Sequence, residues 1–127
     1  MTVTDDVRKA MQETNERFCR EVVANGKFDE IGSIYTKGAR ILPPGAPMAK
    51  GQDAIKGFWK AAIASLGVTG AKLTIVDAEM AGDTVVEIGA AELQFGAKGA
   101  ASVKYIVHWK REDGHWRWDK DIWNMNA

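Results

Sequence analysis

The sequence of 127 residues contains only one cysteine, two histidines and three prolines. Cys19 has no second thiol to pair with, which excludes an intramolecular disulfide and favours the reducing cytoplasm as the compartment. The histidines and the cysteine lack the paired spacing of zinc sites, and there is no phosphate-binding glycine loop. We therefore predict neither a metal nor a cofactor.

Net charge and long apolar runs are also missing. Lys and Arg total 17 and Asp and Glu total 17, so no net charge attracts nucleic acid or an anionic membrane. Basic and aromatic residues do interleave between Lys104 and Arg117, but nearby acidic residues offset them, and we expect no nucleic-acid partner. No apolar run reaches the roughly 20 residues that cross a bilayer, so we expect no membrane association.

Helical periodicity marks three segments in the first half of the chain, at residues 4–25, 28–35 and 52–65. Apolar residues recur every three or four positions in the first segment, which begins with Thr4 as a candidate N-cap. An Asn-Gly pair ends that segment, because glycine readily adopts the left-handed conformation at a helix C-terminus.

A short strand at residues 40–42 is predicted to run into Pro43, Pro44 and Gly45. Proline cannot donate a backbone hydrogen bond, so this segment leaves the ladder of the sheet. An interrupted strand facing the aromatic third helix predicts the mouth of a cavity. The candidate ligand contacts of this rim are Arg40, Leu42 and Met48.

After Gly70 the periodicity becomes twofold, which predicts four long strands, at residues 72–81, 84–95, 101–111 and 115–125. Short turns rich in glycine and aspartate join these strands. Helices followed by an antiparallel meander predict a single α+β domain at residues 1–127, with the helices on one face of the sheet.

Two-residue turns fix the cross-strand partners and therefore the two faces of the sheet. On the face assigned to the helices, the turns predict two neighbouring rows, Ala78–Glu87–His108–Asp119 and Val76–Gly89–Ile106–Asp121. The other face carries the aromatic residues Tyr105, Trp109, Trp116 and Trp118. Because monomers rarely tolerate a large uncovered apolar patch, we expect a homodimer through this second face.

The candidate catalytic residues are Asp121, His108 and Glu87. A histidine between two carboxylates has its protonated form favoured and suits acid–base chemistry near neutral pH, although an ion-pair cluster that only fixes the register is an alternative. Asp121 would be buried and would need a partner, for which Arg40, Lys104 or a ligand are candidates.

Trp59 and Trp123 are candidates for lining a pocket that binds a small apolar or aromatic molecule. Aromatic residues of a helix and a strand also serve as ordinary core, so both interpretations stand. Gly89 and Ile106 share the predicted face of Asp121, and Gly89 leaves space beside it.

Three segments carry a family resemblance: Phe28-Asp-Glu-Ile-Gly-Ser-Ile-Tyr-Thr-Lys-Gly-Ala-Arg-Ile-Leu-Pro-Pro-Gly45, Lys50-Gly-Gln-Asp-Ala-Ile-Lys-Gly-Phe-Trp59 and Trp116-Arg-Trp-Asp-Lys-Asp-Ile-Trp-Asn124. They are similar to the NTF2-like superfamily, in its SnoaL-like, DUF4440-type branch related to ketosteroid isomerase. The resemblance implies a cone-shaped fold in which three N-terminal helices pack on a highly curved antiparallel or mixed sheet, with a pocket between them and usually in a dimer.

The resemblance also implies isomerase, cyclase, lyase or hydrolase activity on small hydrophobic molecules. It matches pocket-facing positions to Trp59, Glu87, Gly89, Ile106, Asp121 and Trp123. The positions of the isomerase base and of its two oxyanion donors fall at or near Leu42, Cys19 and Ile106, none of them acidic, so the steroid reaction itself is not expected.

Three functions remain open from the sequence. The first is a cofactor-independent acid–base enzyme that acts on a small hydrophobic molecule. The second is a non-catalytic module that binds a hydrophobic ligand, and the third is a dimerisation module with a vestigial pocket.

Overall fold

The computed structural model describes residues 2–126, and its helices precede most of its sheet, as predicted. The helical segments are α1 (Asp5–Arg17), a π-helical continuation (Phe18–Ala24), a 3-10 turn (Phe28–Glu30) leading into α2 (Ile31–Ile34), and α3 (Gln52–Leu66). The strands are β1 (Tyr35–Leu42), β2 (Ala49–Lys50), β3 (Gly70–Ala81), β4 (Thr84–Gln94), β5 (Ala100–Glu112) and β6 (His115–Met125). None of the helices within residues 2–126 is long and apolar enough to cross a bilayer.

The first helix begins as its sequence indicates. The hydroxyl of Thr4 accepts a 3.2 Å hydrogen bond from the backbone N–H of Val7, and two aspartates occupy the first turn. The helical path continues to Ala24 and ends before Gly26, whose φ of +66° is left-handed. Phe18, Val22 and Val23 of the π-helical part are buried in the core.

Strand β1 begins at Tyr35, five residues earlier than predicted. The exposed pair Lys37 and Gly38 interrupts the alternation of apolar residues in this strand, which is why the sequence shows only its second half. As a consequence Tyr35, predicted as the last residue of a helix, instead extends from a buried position of the sheet.

The six strands form one sheet in the order β2-β1-β6-β5-β4-β3. Among the strand pairs of residues 2–126, β1 and β6 alone are parallel, so the sheet is mixed, and it is curved without closing on itself. The helices pack on one face and enclose the hydrophobic core against it. The predicted α+β architecture is therefore confirmed.

Three irregularities change the predicted registers. A bulge at Val76 in β3 pairs Gly89 with Ile75, so Val76 leaves its predicted row and is 64% exposed. The turn between β4 and β5 contains a short 3-10 segment, Gly96–Lys98, and shifts the pairing by one residue, so Glu87 lies opposite Val107 instead of His108. A bulge at Asp119 shifts the register of β6 against β5. Trp109 still pairs with Trp118 as predicted, but the next residue, His108, pairs with Lys120 instead of Asp119.

A shift of one residue turns every side chain of a strand to the opposite face. Tyr105, Trp109 and Trp118 therefore lie under the helices, where all three are buried in the protomer's own core, and Trp116 is half-buried against it. The prediction that these residues form a dimer interface is wrong for Tyr105, Trp109 and Trp118, because the protomer's own core covers their apolar surface. Dimerisation itself stays a prediction.

Candidate functional site

A cavity of about 560 Å³ lies between the sheet, the π-helical segment and α3. Its wall is almost entirely apolar and includes the rim residues Pro43, Pro44 and Gly45. Aromatic side chains make up much of the remainder, namely Phe18, Phe58, Trp59, Phe95, Tyr105, Trp118 and Trp123. The cavity lies behind the proline rim, where the sequence predicts a cavity mouth.

Asp121 brings a carboxylate into this apolar wall. Only 5% of the residue is exposed, and the hydroxyl of Tyr35 donates a 2.6 Å hydrogen bond to its Oδ2. Burial raises the pKa of Asp121 to about 7, against the lowering effect of the Tyr35 hydrogen bond and with a further increase from the negative charge of Glu87. The group is therefore poised to exchange a proton near neutral pH.

Trp59 and Trp123 line the cavity beside this carboxylate. Their rings stack with centroids 5.0 Å apart and planes at 19°, and the Trp59 indole N–H donates a 3.1 Å hydrogen bond to the Tyr35 hydroxyl. Since the Tyr35 oxygen accepts from Trp59, its own proton is directed to Asp121. The chain Trp59–Tyr35–Asp121 thus fixes the orientation of the carboxylate.

Glu87 is a second buried carboxylate on the same face of the sheet. Its Oε2 accepts hydrogen bonds from the Tyr105 hydroxyl at 2.5 Å and the Asn15 amide at 3.5 Å, and its Oε1 accepts one from the Trp109 indole at 2.9 Å. Burial raises its pKa, and these three donors oppose the increase. Three donors directed at one carboxyl group favour its ionised form.

Glu87 and Asp121 belong to one row of buried residues that crosses five strands. The row runs Ile41–Asp121–Val107–Glu87–Ala78. Two strand spacings separate the two carboxylates, which is about 10 Å. Their charges repel through the low-dielectric interior, and this repulsion adds to the cost of ionising Asp121.

His108 lies on the outer face of the sheet, away from the cavity. Its Nε2 is 3.0 Å from the Thr84 hydroxyl and its Nδ1 is 3.9 Å from Asp119 Oδ2. Partial burial and the positive charges of Lys120 and Lys110 lower its pKa, against the raising effect of Asp119. The prediction that His108 joins Glu87 and Asp121 and is held protonated is wrong.

Gly89 does lie on the cavity side, but it leaves no room for a ligand. The Tyr105 ring fills the space, since a Cβ at position 89 would overlap the ring carbon that carries the hydroxyl. The glycine allows Tyr105 to cross β4 and reach Glu87. The predicted free space beside Asp121 is therefore occupied.

The remaining predicted contacts are not part of the cavity wall. Ile106, Leu42 and Arg40 lie on the outer face, because the register turns them away from Asp121. Met48 is 54% exposed in the loop between β1 and β2. Arg40 consequently does not pair with Asp121, whose hydrogen-bond partner within residues 2–126 is Tyr35.

Sequence patterns do not reveal Tyr35, Tyr105 and Asn15 as parts of the site. They predict Tyr35 in a helix and Tyr105 on the outer face, and Asn15 is an ordinary polar residue in an amphipathic helix. Each of them contacts a carboxylate that lies far away along the chain, at separations of 86, 18 and 72 residues, and no local pattern reveals such contacts.

Among the described residues, no group of three His, Cys, Asp or Glu side chains is placed to hold a metal ion.

Comparison with known sequences identifies one match. A sequence profile of the SnoaL-like domain matches residues 15–118, which is most of the chain. No curated protein sequence matches the chain significantly.

Solved structures of the same fold are numerous. Aln2 from a Streptomyces species superposes with a TM-score of 0.82 at 16% identity, over 99% of this chain and 95% of that chain. The hexachlorocyclohexane dehydrochlorinase LinA-type3 from Novosphingobium barchaimii gives 0.77 at 18% identity, over 96% and 88%. A Nostoc punctiforme protein of unknown function with a cystatin-like fold gives 0.81 at 12% identity, over 100% and 96%. Identities this low show a shared fold and leave activity open.

Proposed function

The chain belongs to the SnoaL-like domain family, and on that premise we propose that it is a cofactor-independent acid–base enzyme that acts on a small, largely apolar molecule. Asp121 is the group that transfers the proton. Trp59 and Trp123 pack against the substrate, and Glu87 adjusts the proton affinity of Asp121 from behind the wall.

The observation that carries this proposal is a carboxylate with a pKa of about 7 in an apolar cavity of about 560 Å³. Cavities of this volume suit small organic ligands, and a base works best when its pKa is near the operating pH. A carboxylate that loses its hydration shell is also a stronger base than the same group in water. A structural role alone does not require Asp121 to face an open cavity.

The chemistry that fits is removal of a proton from carbon. The Asp121 carboxylate takes the proton, and the electron pair of the C–H bond becomes part of a new double bond. If a leaving group departs with its own bonding pair, the outcome is elimination, and if the proton returns at another carbon, the outcome is isomerisation. The name of the dehydrochlorinase that shares this fold describes an elimination.

The wall suits a concerted elimination best, and for the oxygen of an enolate it offers the indole N–H of Trp123, which makes no hydrogen bond within residues 2–126. Within the described residues the wall has no Lys, Arg, His, Ser or Thr side chain to stabilise an oxyanion. The Tyr105 hydroxyl and the Trp118 indole are already bonded to Glu87 and Asn15. A concerted elimination spreads its charge onto the leaving group and needs less of this support.

Deuterium exchange into 2-tetralone tests the proposal without knowledge of the natural substrate. This apolar ketone has acidic protons next to its carbonyl, and exchange in D2O is followed by NMR. We expect the wild-type protein to accelerate exchange over buffer, and Asp121→Asn to abolish the acceleration. Asp119→Asn, which removes a carboxylate outside the cavity, is the control and should retain it. An Asp121→Asn variant as active as the wild type would overturn the proposal.

Ligand binding without turnover is the second candidate function. It is favoured by the wall itself, because within residues 2–126 Asp121 is the single Asp, Glu, Lys, Arg or His that lines the cavity and no second charged group is there to assist a reaction. Saturable binding of 2-tetralone by a protein that exchanges no deuterium would support this function instead.

We further propose that two copies of the chain associate through the outer face of the sheet. A row of exposed apolar residues crosses four adjacent strands there, Leu42–Ile122–Ile106–Ile88, and each member is 38–46% exposed. Val76, which is 64% exposed in the neighbouring strand, flanks the row. Contiguous apolar surface of this kind typically marks an interface, and a self-complementary contact between two sheets would cover it.

A further inference from the structure

We propose that the cavity selects small hydrophobic ligands that carry a protonated amine, and that the ammonium group pairs with the Asp121 carboxylate. Such selection deepens the proposed function by naming the charge of the ligand. This inference rests on the proposed function in one respect, namely that the cavity is the site where the ligand binds. It does not require that the protein turns the ligand over.

The cavity wall carries charge of one sign. Within residues 2–126, Asp121 is the single Asp, Glu, Lys, Arg or His among the residues that line it. An anionic ligand would bring a second negative charge into an apolar space, where no described lining residue is a cation that could compensate it. A neutral ligand would leave the carboxylate without a counter-charge.

Asp121 has no positive partner among residues 2–126. Neither Asp121 nor Glu87 forms a salt bridge with any residue in the described part of the chain, and the donor to Asp121 is the neutral hydroxyl of Tyr35. A buried carboxylate without a counter-ion is costly, and removal of one partner from a buried pair leaves such a group. The structure therefore holds one half of an ion pair, turned toward a cavity.

The neighbouring walls suit an alkylammonium group as well. Phe18 meets Trp59 edge to face at 5.2 Å, Trp59 stacks on Trp123 at 5.0 Å, and Phe58 meets Trp123 at 5.8 Å. Aromatic rings attract cations through their negative faces, most strongly where water is excluded. They also take up the hydrocarbon part of the ligand.

Pairing with an ammonium group requires the ionised carboxylate, so affinity depends on pH. The titratable groups that face the carboxylates are Tyr35 from β1, Tyr105 from β5, Glu87 from β4, Cys19 from the π-helical segment and Arg8 from α1. The pKa values of both tyrosines are raised above their usual range, and that of Cys19 is raised to about 11, chiefly by burial. None of these three titrates between pH 6 and 8, whereas Asp121 does so at about 7.

Three ligands with one ring system test the inference: 2-aminotetralin, 2-tetralol and tetralin-2-carboxylate. Their affinities are measured by isothermal titration calorimetry at pH 8, where the amine is protonated. We expect the amine to bind at least about tenfold more tightly than the alcohol, as a charged hydrogen bond implies, and the carboxylate to bind weakest. The affinity of the amine should rise about tenfold between pH 6 and 8, as the ionised fraction of Asp121 grows. That of the alcohol should not rise.

Asp121→Asn should remove the preference for the amine while the alcohol still binds. Equal affinities of amine and alcohol for the wild type, or an undiminished preference in Asp121→Asn, would overturn the inference. If Asp121→Asn fails to fold, the wild type alone decides: an affinity for the amine that does not change between pH 6 and 8 would also overturn the inference. Amine selection in a protein that exchanges no deuterium would refute only the enzymatic proposal, and exchange without amine selection would refute only this inference.

Discussion

The hydroxyl of Tyr35 donates a 2.6 Å hydrogen bond to Oδ2 of Asp121, between the first residue of β1 and a residue of β6. The Tyr35 ring also meets Trp118 edge to face at 5.1 Å, which holds the phenol against the core. This pair forms the polar end of an otherwise apolar cavity. The protonation state of Asp121 therefore depends on a residue that is distant in sequence and fixed by packing.

Replacement of Tyr35 by phenylalanine should raise the pKa of Asp121 above about 7. The lost hydrogen bond stabilises the ionised carboxylate, while the burial that raises the pKa remains. The carboxyl carbon of Asp121, followed by 13C NMR as a function of pH, measures the change. Tyr105→Phe is the matched control: it removes a donor from Glu87, weakens that negative charge and should lower the pKa of Asp121. Shifts in the same direction in both variants would contradict the assignment.

Replacement of Glu87 by glutamine should lower the pKa of Asp121, because the repulsion from the second carboxylate disappears. The variant should also lose about 1–3 kcal/mol of stability, since the glutamine NH2 group meets a donor where the carboxylate accepted one. The NMR titration and chemical denaturation measure the two effects. An unchanged Asp121 titration would mean that the two charges do not interact.

Asp121→Asn should be more stable than the wild type at pH 8 and equally stable near pH 4. Asp121 has a pKa of about 7 in the folded protein, against about 3.9 when unfolded, so the folded state binds more protons between these values. Stability of the wild type therefore falls as pH rises from about 4 to about 7, by a few kcal/mol, and asparagine removes this decline. Melting temperatures across this range measure it.

The pKa of Asp119 is shifted in the direction opposite to that of Asp121. Its burial raises the pKa, but the hydrogen bonds from Lys120 and Thr36 outweigh this effect and the net pKa is lowered. Its contribution to stability is thus present above the unfolded pKa and lost as pH falls through the folded one. Asp119→Asn should be less stable than the wild type at pH 7, with a difference that vanishes in acid. Differences from the wild type that change with pH in the same direction in both variants would refute one of the two assignments, and the direction would show which.

Gly89→Ala should destabilise the protein by several kcal/mol. The new Cβ would overlap the Tyr105 ring, which is buried and hydrogen-bonded to Glu87 and cannot move without breaking that bond. Gly38→Ala, also in a strand but with no atom within 4 Å of the new Cβ, should be neutral or slightly stabilising. Denaturation midpoints of the two variants decide the matter, and equal midpoints would show that Tyr105 does not need the space.

Ile106→Lys should convert a dimer to a monomer, because it places a charge at the centre of the exposed apolar row of the outer face. The mass in solution, measured by light scattering, reports the change. Met48→Lys adds the same charge to a similarly exposed residue outside the row and should leave the mass unaltered. A wild-type protein that is monomeric at high concentration would exclude the interface.

Much of the fold was predictable from the sequence because it depends on local periodicity. Helix α1 with its Thr4 cap, α3 with its aromatic face and the four long strands follow patterns that repeat within a few residues. Only the second half of β1 was predicted, because Lys37 and Gly38 interrupt the alternation of apolar residues, and Tyr35 in the first half was therefore assigned to a helix.

The candidate site was predicted in part through two errors that cancel. The one-residue shift after β4 turns β5 over, which removes His108 and Ile106 from the cavity and brings in Tyr105. The bulge at Asp119 inserts one residue into β6 and restores Asp121 to the face predicted for it. Trp123, two residues further along β6, therefore also faces the cavity as predicted.

Local patterns in the chain are enough to give the class of the fold, the proline rim and the residue types from which a cavity is built. The face that each strand turns inward depends on the assembled sheet, because side chains alternate with a period of two and one extra residue in a strand or turn reverses them. The tertiary structure also makes burial, together with Tyr35 and Glu87 rather than a histidine, the cause of the shifted pKa of Asp121. Burial and like-charge repulsion depend on distances across strands, and no local pattern in the chain encodes them.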